Sequence, residues 1–531
     1  MRILGALLAL TAGVSAIAAA AEAAAIRVDG GHIADVAPDG SGIRVFKGIP
    51  FAAPPVGELR WKAPQPLKPW DGTREADAWG PRCVQSSRLG DIDPLNARMS
   101  EDCLYLNVWT PAKSNGDRLP VMLWIYGGSL NVGSGSQPEY DGANLAKKGV
   151  VVVTINYRVD VFGFLAHPEL AKETDANASG NYGIQDQIAA LKWVQKNIAA
   201  FGGDLERVTI FGESAGSFSV SMLMASPSAK GLFARAIGES GAWMSPLPAF
   251  FGLKPRTMAE QDGLKFAQSL GASTISDLRA KSADELLQAS VKDPAVAARG
   301  VIDGYVIAES PAAIFAQGRQ NDVPLLVGWN ADEGTYFAAR IPFGPGTPTY
   351  ADRIRQQFKE QADAVLKLYA PEGSAPEQEK AAFAALLGDE LIGYGGWAWA
   401  ERVATTGKSP TYRYYFNRRP PGAPQFSGVR PLAAPGVYHS AELCYVFNNL
   451  QAVDWPWEAE DRRLADAMSS YWVNFAKTGD PNGEGLPRWP AYKPGGGGQM
   501  MELGKDLTAR PELHRDRYEF LDGLYQKAAS Q

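Results

Sequence analysis

Cysteine and histidine are scarce in this chain of 531 residues, which contains three cysteines and four histidines. The sequence has no Cys-x-x-Cys pair and no His-Glu-x-x-His segment, so it offers neither a redox motif nor a zinc signature. Acidic residues exceed basic ones, giving a net charge of −6, and no basic run is present that could follow a phosphate backbone. We therefore expect no metal, no cofactor and no nucleic-acid partner.

Long apolar runs are also lacking after the N-terminal segment, so we expect no membrane span in the mature chain. The first 25 residues differ from the rest. Arg2 precedes an uncharged, mainly aliphatic run, Ile3 to Ala21, and small residues follow at Ala23 and Ala25. This pattern is typical of a secretory signal peptide over residues 1–25, whereas a membrane anchor would be longer and less alanine-rich. We expect a secreted or periplasmic protein.

The remaining composition, 45% hydrophobic with 10% aromatic residues, is ample for a large core. Apolar runs alternate with segments of helical spacing, which predicts an α/β protein with a central, mostly parallel sheet covered by helices. Residues 26–531 are predicted to form one catalytic domain, with helical insertions near 255–300 and 350–405. The predicted strands lie at 26–28, 32–34, 104–109, 120–126, 150–155, 208–211, 325–328 and 412–416, and the predicted central helix at 181–199.

The central motif is Gly-Glu-Ser-Ala-Gly at positions 212–216. A predicted strand precedes it and a segment of helical spacing follows, which is the setting of a nucleophile elbow. The flanking glycines allow the turn to approach neighbouring backbone closely. We therefore predict Ser214 as the nucleophile, rather than a serine in an ordinary tight turn.

A serine hydroxyl needs a general base. In a strand–elbow–helix protein of this kind the acid and then the histidine follow the serine, so His32 and His167 come too early. His514 lies in a charged stretch that is typical of a solvated surface, whereas His439 follows a Pro/Gly-rich loop. We predict His439 as the base.

The acid that orients the histidine should follow a strand between the serine and the histidine. The segment Asn-Ala-Asp-Glu-Gly-Thr at 330–335 follows the predicted strand at 325–328. Spacing alone does not choose between Asp332 and Glu333.

Several motifs together resemble the type-B carboxylesterase family, which includes cholinesterases, mammalian liver carboxylesterases and bacterial nitrobenzyl esterases. The resemblance runs from about Ile26 to about Tyr525 and implies an α/β-hydrolase fold and the hydrolysis of small carboxylic esters. The motifs are Phe-Lys-Gly-Ile-Pro-Phe-Ala-Ala-Pro-Pro-Val-Gly at 46–57, Ser-Glu-Asp-Cys-Leu-Tyr-Leu-Asn-Val at 100–108, Phe-Gly-Gly-Asp at 201–204, the elbow, and Thr-Gly-Asp-Pro-Asn at 478–482.

The resemblance also implies roles that spacing leaves open. The Glu of Asp-Glu-Gly is the family's acid, here Glu333, and the histidine three residues before a Glu is its base, here His439. Ser240 matches a serine that supports the acid by a hydrogen bond. Cys83 is expected to pair with Cys103, which leaves Cys444 as a buried cysteine outside the disulfide.

The family's oxyanion hole implies backbone donors at Gly128, Ser129 and Ala215. The usual third glycine is replaced by Ser129, but a backbone N–H survives that change. A second departure is Asp93, ten residues before Cys103, where cholinesterases carry a tryptophan that binds the choline cation. Choline esters are therefore not the expected substrate.

The sequence predicts a secreted serine ester hydrolase with a Ser-His-Glu triad and an acyl-enzyme intermediate. An amidase or carbamate hydrolase could use the same triad. A non-catalytic esterase-like binding module is disfavoured, because such modules lose triad residues and this chain keeps all three.

Overall fold

The structure is a computed structural model that describes residues 25–86, 96, 98–245, 252–339, 341–421 and 436–529. Residues 1–24 of the predicted signal peptide and Asp93 lie outside the described residues. Among the described residues, no helix combines the length and the apolar character needed to cross a membrane.

The strands of the described chain, in sequence order, are β1 Ala25–Val28, β2 Gly31–Ala34, β3 Arg44–Pro50, β4 Thr73–Arg74, β5 Arg82–Cys83, β6 Met99–Ser100, β7 Tyr105–Thr110, β8 Leu119–Ile125, β9 Val151–Ile155, β10 Gly203–Glu213, β11 Arg235–Glu239, β12 Lys254–Pro255, β13 Val301–Ile302, β14 Leu325–Asn330, β15 Thr411–Phe416, β16 Gln499–Leu503 and β17 Leu507–Pro511.

The α-helices of the described chain, in the same order, are α1 Ala143–Ala146, α2 Asp160–Phe164, α3 Pro168–Lys172, α4 Tyr182–Asn197, α5 Ala215–Ala225, α6 Arg256–Ser269, α7 Ile275–Arg279, α8 Ala283–Lys292, α9 Pro311–Ala316, α10 Glu333–Ala338, α11 Tyr350–Phe358, α12 Ala362–Leu368, α13 Pro376–Gly388, α14 Tyr394–Thr406, α15 Leu443–Val446, α16 Ala459–Thr478 and α17 Arg515–Ala529. A π-helical turn, Asp389–Gly393, joins α13 to α14.

The central sheet has ten strands in the order β17-β16-β15-β14-β11-β10-β8-β9-β7-β3. The seven strands from β16 through β9 run parallel to one another. At the sides of the sheet, β17 pairs antiparallel with β16, β7 with β9, and β3 with β7. The residues of β9 are Val-Val-Val-Thr-Ile, and all five are buried. A strand that is apolar on both sides without alternation requires cover on both faces of the sheet.

Helices supply that cover, as neighbouring residues of β11 show. A Cβ added to Gly238 would contact Trp399 of α14 and Ser217 of α5. The next residue, Glu239, accepts a hydrogen bond from Trp472 of α16. Because successive side chains of a strand point to opposite faces, α5 and α14 lie on one face and α16 lies on the other.

The predicted strands and insertions agree with the structure, with two differences. The segment from Gly48 to Pro50 lies outside the predicted strands, but it belongs to β3, which contains a register shift where it pairs with β7. The strands β16 and β17 were not predicted. None of the five residues of β17 is buried, so this segment lacks the apolar run that marks a central strand. The strand β16 directly follows a run of four glycines, which indicates a loop.

A disulfide joins Cys83 to Cys103, as the family resemblance implied, and Cys444 is buried and forms no disulfide. Cys83 ends β5 and Cys103 precedes β7, so the bond ties the segment that carries β5 to the start of a strand of the central sheet.

Candidate active site

Ser214 lies at the sharp turn between β10 and α5, with φ 52° and ψ −123°. A residue other than glycine rarely adopts such a backbone conformation, so the turn is strained and must be held by its surroundings. Gly212 and Gly216 permit it, since a Cβ at either position would collide with the carbonyl of Ile125 on β8. The turn raises the Ser214 hydroxyl above the carboxyl end of the sheet.

A chain of short hydrogen bonds begins at this hydroxyl. The Nε2 atom of His439 lies 2.8 Å from the Oγ atom of Ser214, and its Nδ1 atom lies 2.6 Å from the Oε2 atom of Glu333. His439 and Glu333 are only 8% and 3% exposed, so water hardly competes for these bonds. Glu333 follows β14 at the start of α10, and His439 comes between β15 and α15, so the sheet brings three distant segments together.

The second carboxylate oxygen of Glu333 also accepts hydrogen bonds. Ser240, directly after β11, donates its hydroxyl to Oε1 at 2.6 Å, and the backbone N–H of Asn330 donates to the same atom at 2.8 Å. Asp332, which spacing could not separate from Glu333, instead accepts the backbone N–H of Val437 at 2.7 Å. Glu333 therefore contacts the imidazole of His439, whereas Asp332 contacts the loop that precedes His439.

The other histidines lie elsewhere. His32 is in β2, His167 accepts the backbone N–H of Glu169 at the start of α3, and His514 is exposed before α17.

The loop after β8 faces the elbow. A Cβ added to Gly127 would lie 2.9 Å from the carbonyl oxygen of Glu213 and 3.1 Å from the Cβ of Ser214, so glycine is needed for this approach. Gly128, Ser129 and Leu130 have φ values of 99°, 57° and 60°, all in the left-handed region. Ala215 begins α5, and the first N–H groups of a helix have no partner within it. The loop after β8 and the start of α5 therefore both lie beside the elbow.

A group of buried carboxylates that the sequence motifs do not predict surrounds the histidine. Glu213 Oε1 accepts the hydroxyl of Ser440 at 2.6 Å and lies 3.3 Å from His439 Nε2. Glu442 accepts from the amide of Asn330 at 2.5 Å. Each acid was visible in a motif, as the residue before the serine or the third after the histidine, but only the fold shows that they converge.

These neighbours alter proton affinities. Burial opposes the charged imidazolium of His439, but the carboxylates of Glu213 and Glu333 outweigh it and raise the pKa of His439 above its ordinary value. Burial, together with the charges of Glu213 and Glu333, raises the pKa of Glu442 to about 8. Burial and the nearby Glu442 raise the pKa of Glu239 well above its ordinary value. The site therefore stabilises positive charge on His439.

The arrangement can activate a hydroxyl for attack on a carbonyl carbon, since a base contacts the nucleophile and an acid orients the base. Among the described residues, no group of three or more histidine, cysteine, aspartate or glutamate side chains could hold a metal ion.

Comparison with known proteins agrees with this chemistry. The model of the carboxylesterase family matches residues 25–521. The chain is 39% identical to a fumonisin B1 esterase of Sphingopyxis macrogoltabida over 88% of this chain and 84% of that protein. It is 37% identical to carboxylesterase 1D of Rattus norvegicus, over 92% and 90% of the two chains, and 36% identical to the para-nitrobenzyl esterase of Bacillus subtilis (strain 168), over 85% and 89%. The chain therefore belongs to the carboxylesterase family and is a carboxylic ester hydrolase with the α/β-hydrolase fold.

Proposed function

We propose that this hydrolase cleaves small-molecule esters through an acyl-enzyme on Ser214, with His439 as general base and Glu333 as the orienting acid. The observation that carries the proposal is the unbroken series of hydrogen bonds from the Ser214 hydroxyl through His439 to Glu333. Ser240 supports the acid, because its hydroxyl fixes the carboxylate oxygen that does not face the imidazole.

In the first half of the reaction His439 Nε2 takes the Ser214 proton while Oγ attacks the ester carbonyl carbon. The backbone N–H groups of Gly128, Ser129 and Ala215 stabilise the negative oxygen of the tetrahedral intermediate. The intermediate collapses, the C–O bond to the alcohol breaks, and His439 gives its proton to the departing alkoxide. The second half repeats these steps with water as nucleophile, which releases the carboxylic acid and restores Ser214.

Replacing Ser214 or His439 by alanine tests the mechanism. We expect kcat for p-nitrophenyl acetate to fall by on the order of 10⁴–10⁶, because triad members act as a unit. Circular dichroism should show an unchanged fold. An organophosphate should label Ser214 in the wild type, and mass spectrometry of the labelled peptide identifies the residue. A Ser214→Ala protein with full activity would refute the proposal.

The proposal favours esters over amides, since the relatives reported above are named esterases or carboxylesterases. Comparing kcat/KM for an ester and its matched amide tests this preference. A higher value for the amide would support an amidase instead.

We also propose that the protein is exported after cleavage near Ala23 or Ala25. The uncharged run from Ile3 to Ala21 supports export, and the disulfide between Cys83 and Cys103 is of the kind that persists in oxidising compartments. N-terminal sequencing of protein from the periplasm and the medium tests this, and an intact Met1 would contradict it.

A further inference from the structure

Asn131 follows the proposed oxyanion hole by two residues and bonds to it through its side chain. Its Nδ2 atom donates to the carbonyl oxygen of Ser129 at 2.6 Å. Its Oδ1 atom accepts the backbone N–H of Ala298 at 3.1 Å. Ala298 is buried and follows the insertion that carries α6 to α8. One amide side chain thus joins the loop after β8 to a segment far away in sequence.

The backbone of Asn131 acts on the same loop. The N–H groups of Asn131 and Val132 both donate to the carbonyl oxygen of Gly128, at 3.0 and 3.1 Å. In a trans peptide the carbonyl and the N–H point in opposite directions. Holding the Gly128 carbonyl therefore aims the N–H of Ser129 to the other side, away from these donors.

The side chain of Asn131 fixes the next peptide unit, because it holds the carbonyl of Ser129. Ser129 and Leu130 both have left-handed φ values, which side chains other than glycine adopt only where surrounding contacts enforce them. Asp160 supplies one such contact by donating its N–H to the carbonyl of Leu130 at 2.8 Å. The remaining peptide between Ser129 and Leu130 is held by Asn131.

We propose that Asn131 is a positioning residue for ester hydrolysis, which holds the loop after β8 so that the N–H group of Ser129 is aligned for the developing oxyanion. It acts through the loop and not by contact with substrate. The inference rests on the oxyanion hole assigned in the proposed function. Alignment of this kind contributes to the transition state more than to substrate binding, since negative charge on the oxygen develops only during reaction.

The test uses Asn131→Ala, which removes both bonds, and Asn131→Asp, which keeps the acceptor for Ala298 but cannot donate to Ser129. With active sites titrated by an organophosphate, we expect kcat for p-nitrophenyl acetate to fall about tenfold or more in both variants, less than the loss for a deleted oxyanion donor. KM should stay within threefold. Affinity for a trifluoromethyl ketone, which forms a charged adduct on the serine, should fall by the same factor as kcat/KM.

Asn197 provides a matched control, because it also donates to a backbone carbonyl, that of Trp193, and accepts a backbone N–H, that of Asp29. It ends α4 and lies outside the proposed catalytic residues. Asn197→Ala should lower the melting temperature without changing kcat per titrated site. A kcat within twofold of wild type for both Asn131 variants, or a loss confined to KM, overturns the inference. If Ser214→Ala is inactive at the same time, the proposed function stands without it.

Discussion

The Oε1 atom of Glu213 lies 3.3 Å from the Nε2 atom of His439, the same nitrogen that faces the Ser214 hydroxyl at 2.8 Å. A second carboxylate, Glu333, contacts the opposite ring nitrogen. The imidazole therefore lies between two buried acids. Both favour its protonated form, which arises whenever it accepts the serine proton.

The pH dependence of kcat/KM should show the effect of Glu213 on the pKa of His439. Protonated His439 cannot accept the Ser214 proton, so kcat/KM should rise as pH passes upward through the pKa of His439. Because Glu213 raises that pKa, Glu213→Gln should move the acid limb of kcat/KM to lower pH, by on the order of one unit. Glu206→Gln, at a largely exposed side chain, is the control and should leave the limb in place. An unmoved limb in Glu213→Gln would show that its charge does not reach His439.

Substitution of the two adjacent acids should have different effects, on activity at Glu333 and on stability at Asp332. Glu333→Gln removes the charge beside His439 Nδ1, and we expect kcat to fall by about 10³–10⁴ with little change in stability. Asp332→Asn weakens a bond to the backbone of Val437, and we expect a loss of about 1 kcal/mol in the free energy of unfolding with kcat within tenfold of wild type. Kinetics and urea denaturation of both variants measure this, and the reverse pattern would make Asp332 the acid.

Much of the fold was predictable because buried parallel strands have a recognisable sequence pattern. Strands such as β9 are continuous apolar runs, and the elbow follows one of them. The strand β17 was not predictable, since none of its residues is buried and it is held by antiparallel pairing with β16. The strand β16 has only five residues and directly follows four glycines, which indicate a loop.

The site was predictable where a motif names a residue type, as at Ser214. Spacing alone could not choose Glu333 over Asp332, because both follow the same strand. The choice depends on which way each side chain leaves the turn, and the family resemblance favoured Glu333 before the structure did. The approach of Glu213 to His439 was not foreseen, as it depends on the rotation of the chain through the strained turn at Ser214.

The disulfide should stabilise the protein and leave one thiol, that of Cys444, outside a disulfide. Cys83 and Cys103 are separated by 20 positions, and closing a loop of that length is worth about 3 kcal/mol in the chain-entropy model. Cys83→Ser should lower the free energy of unfolding by about that amount. Iodoacetamide in guanidinium without reductant should label Cys444 alone. Peptide mapping that finds Cys444 in the bridge would contradict the pairing.

Gln85 links this disulfide to the loop after β8. Its side-chain amide donates to the carbonyls of Cys83 and Gly133, at 2.9 and 2.8 Å, and accepts the N–H of Gly133 at 2.8 Å. Cys83→Ser should therefore also lower kcat, whereas Cys444→Ala should not. Steady-state kinetics at a temperature where both variants are folded would measure the difference.

Ser129 places a side chain where a third glycine would leave bare backbone. The residue is half-buried, and its φ of 57° belongs to the region that glycine adopts without strain. Its N–H is a proposed oxyanion donor, so we expect its Cβ and hydroxyl to lie close to the position of the tetrahedral carbon. Bulk at that point competes for space with a branched alcohol.

We expect good turnover of primary-alcohol esters, poor turnover of tert-butyl esters, and a selective improvement of the latter in Ser129→Gly. Crowding beside the tetrahedral centre is greatest in the transition state, so the change should appear mainly in kcat. The measurement is the ratio of kcat/KM for n-butyl acetate to that for tert-butyl acetate, which should fall on substitution. Ser129→Ala keeps the Cβ and removes the hydroxyl, so an intermediate ratio would assign part of the effect to each group. If the ratio in Ser129→Gly equals that of the wild type, the side chain of Ser129 points away from the alcohol and has no steric role.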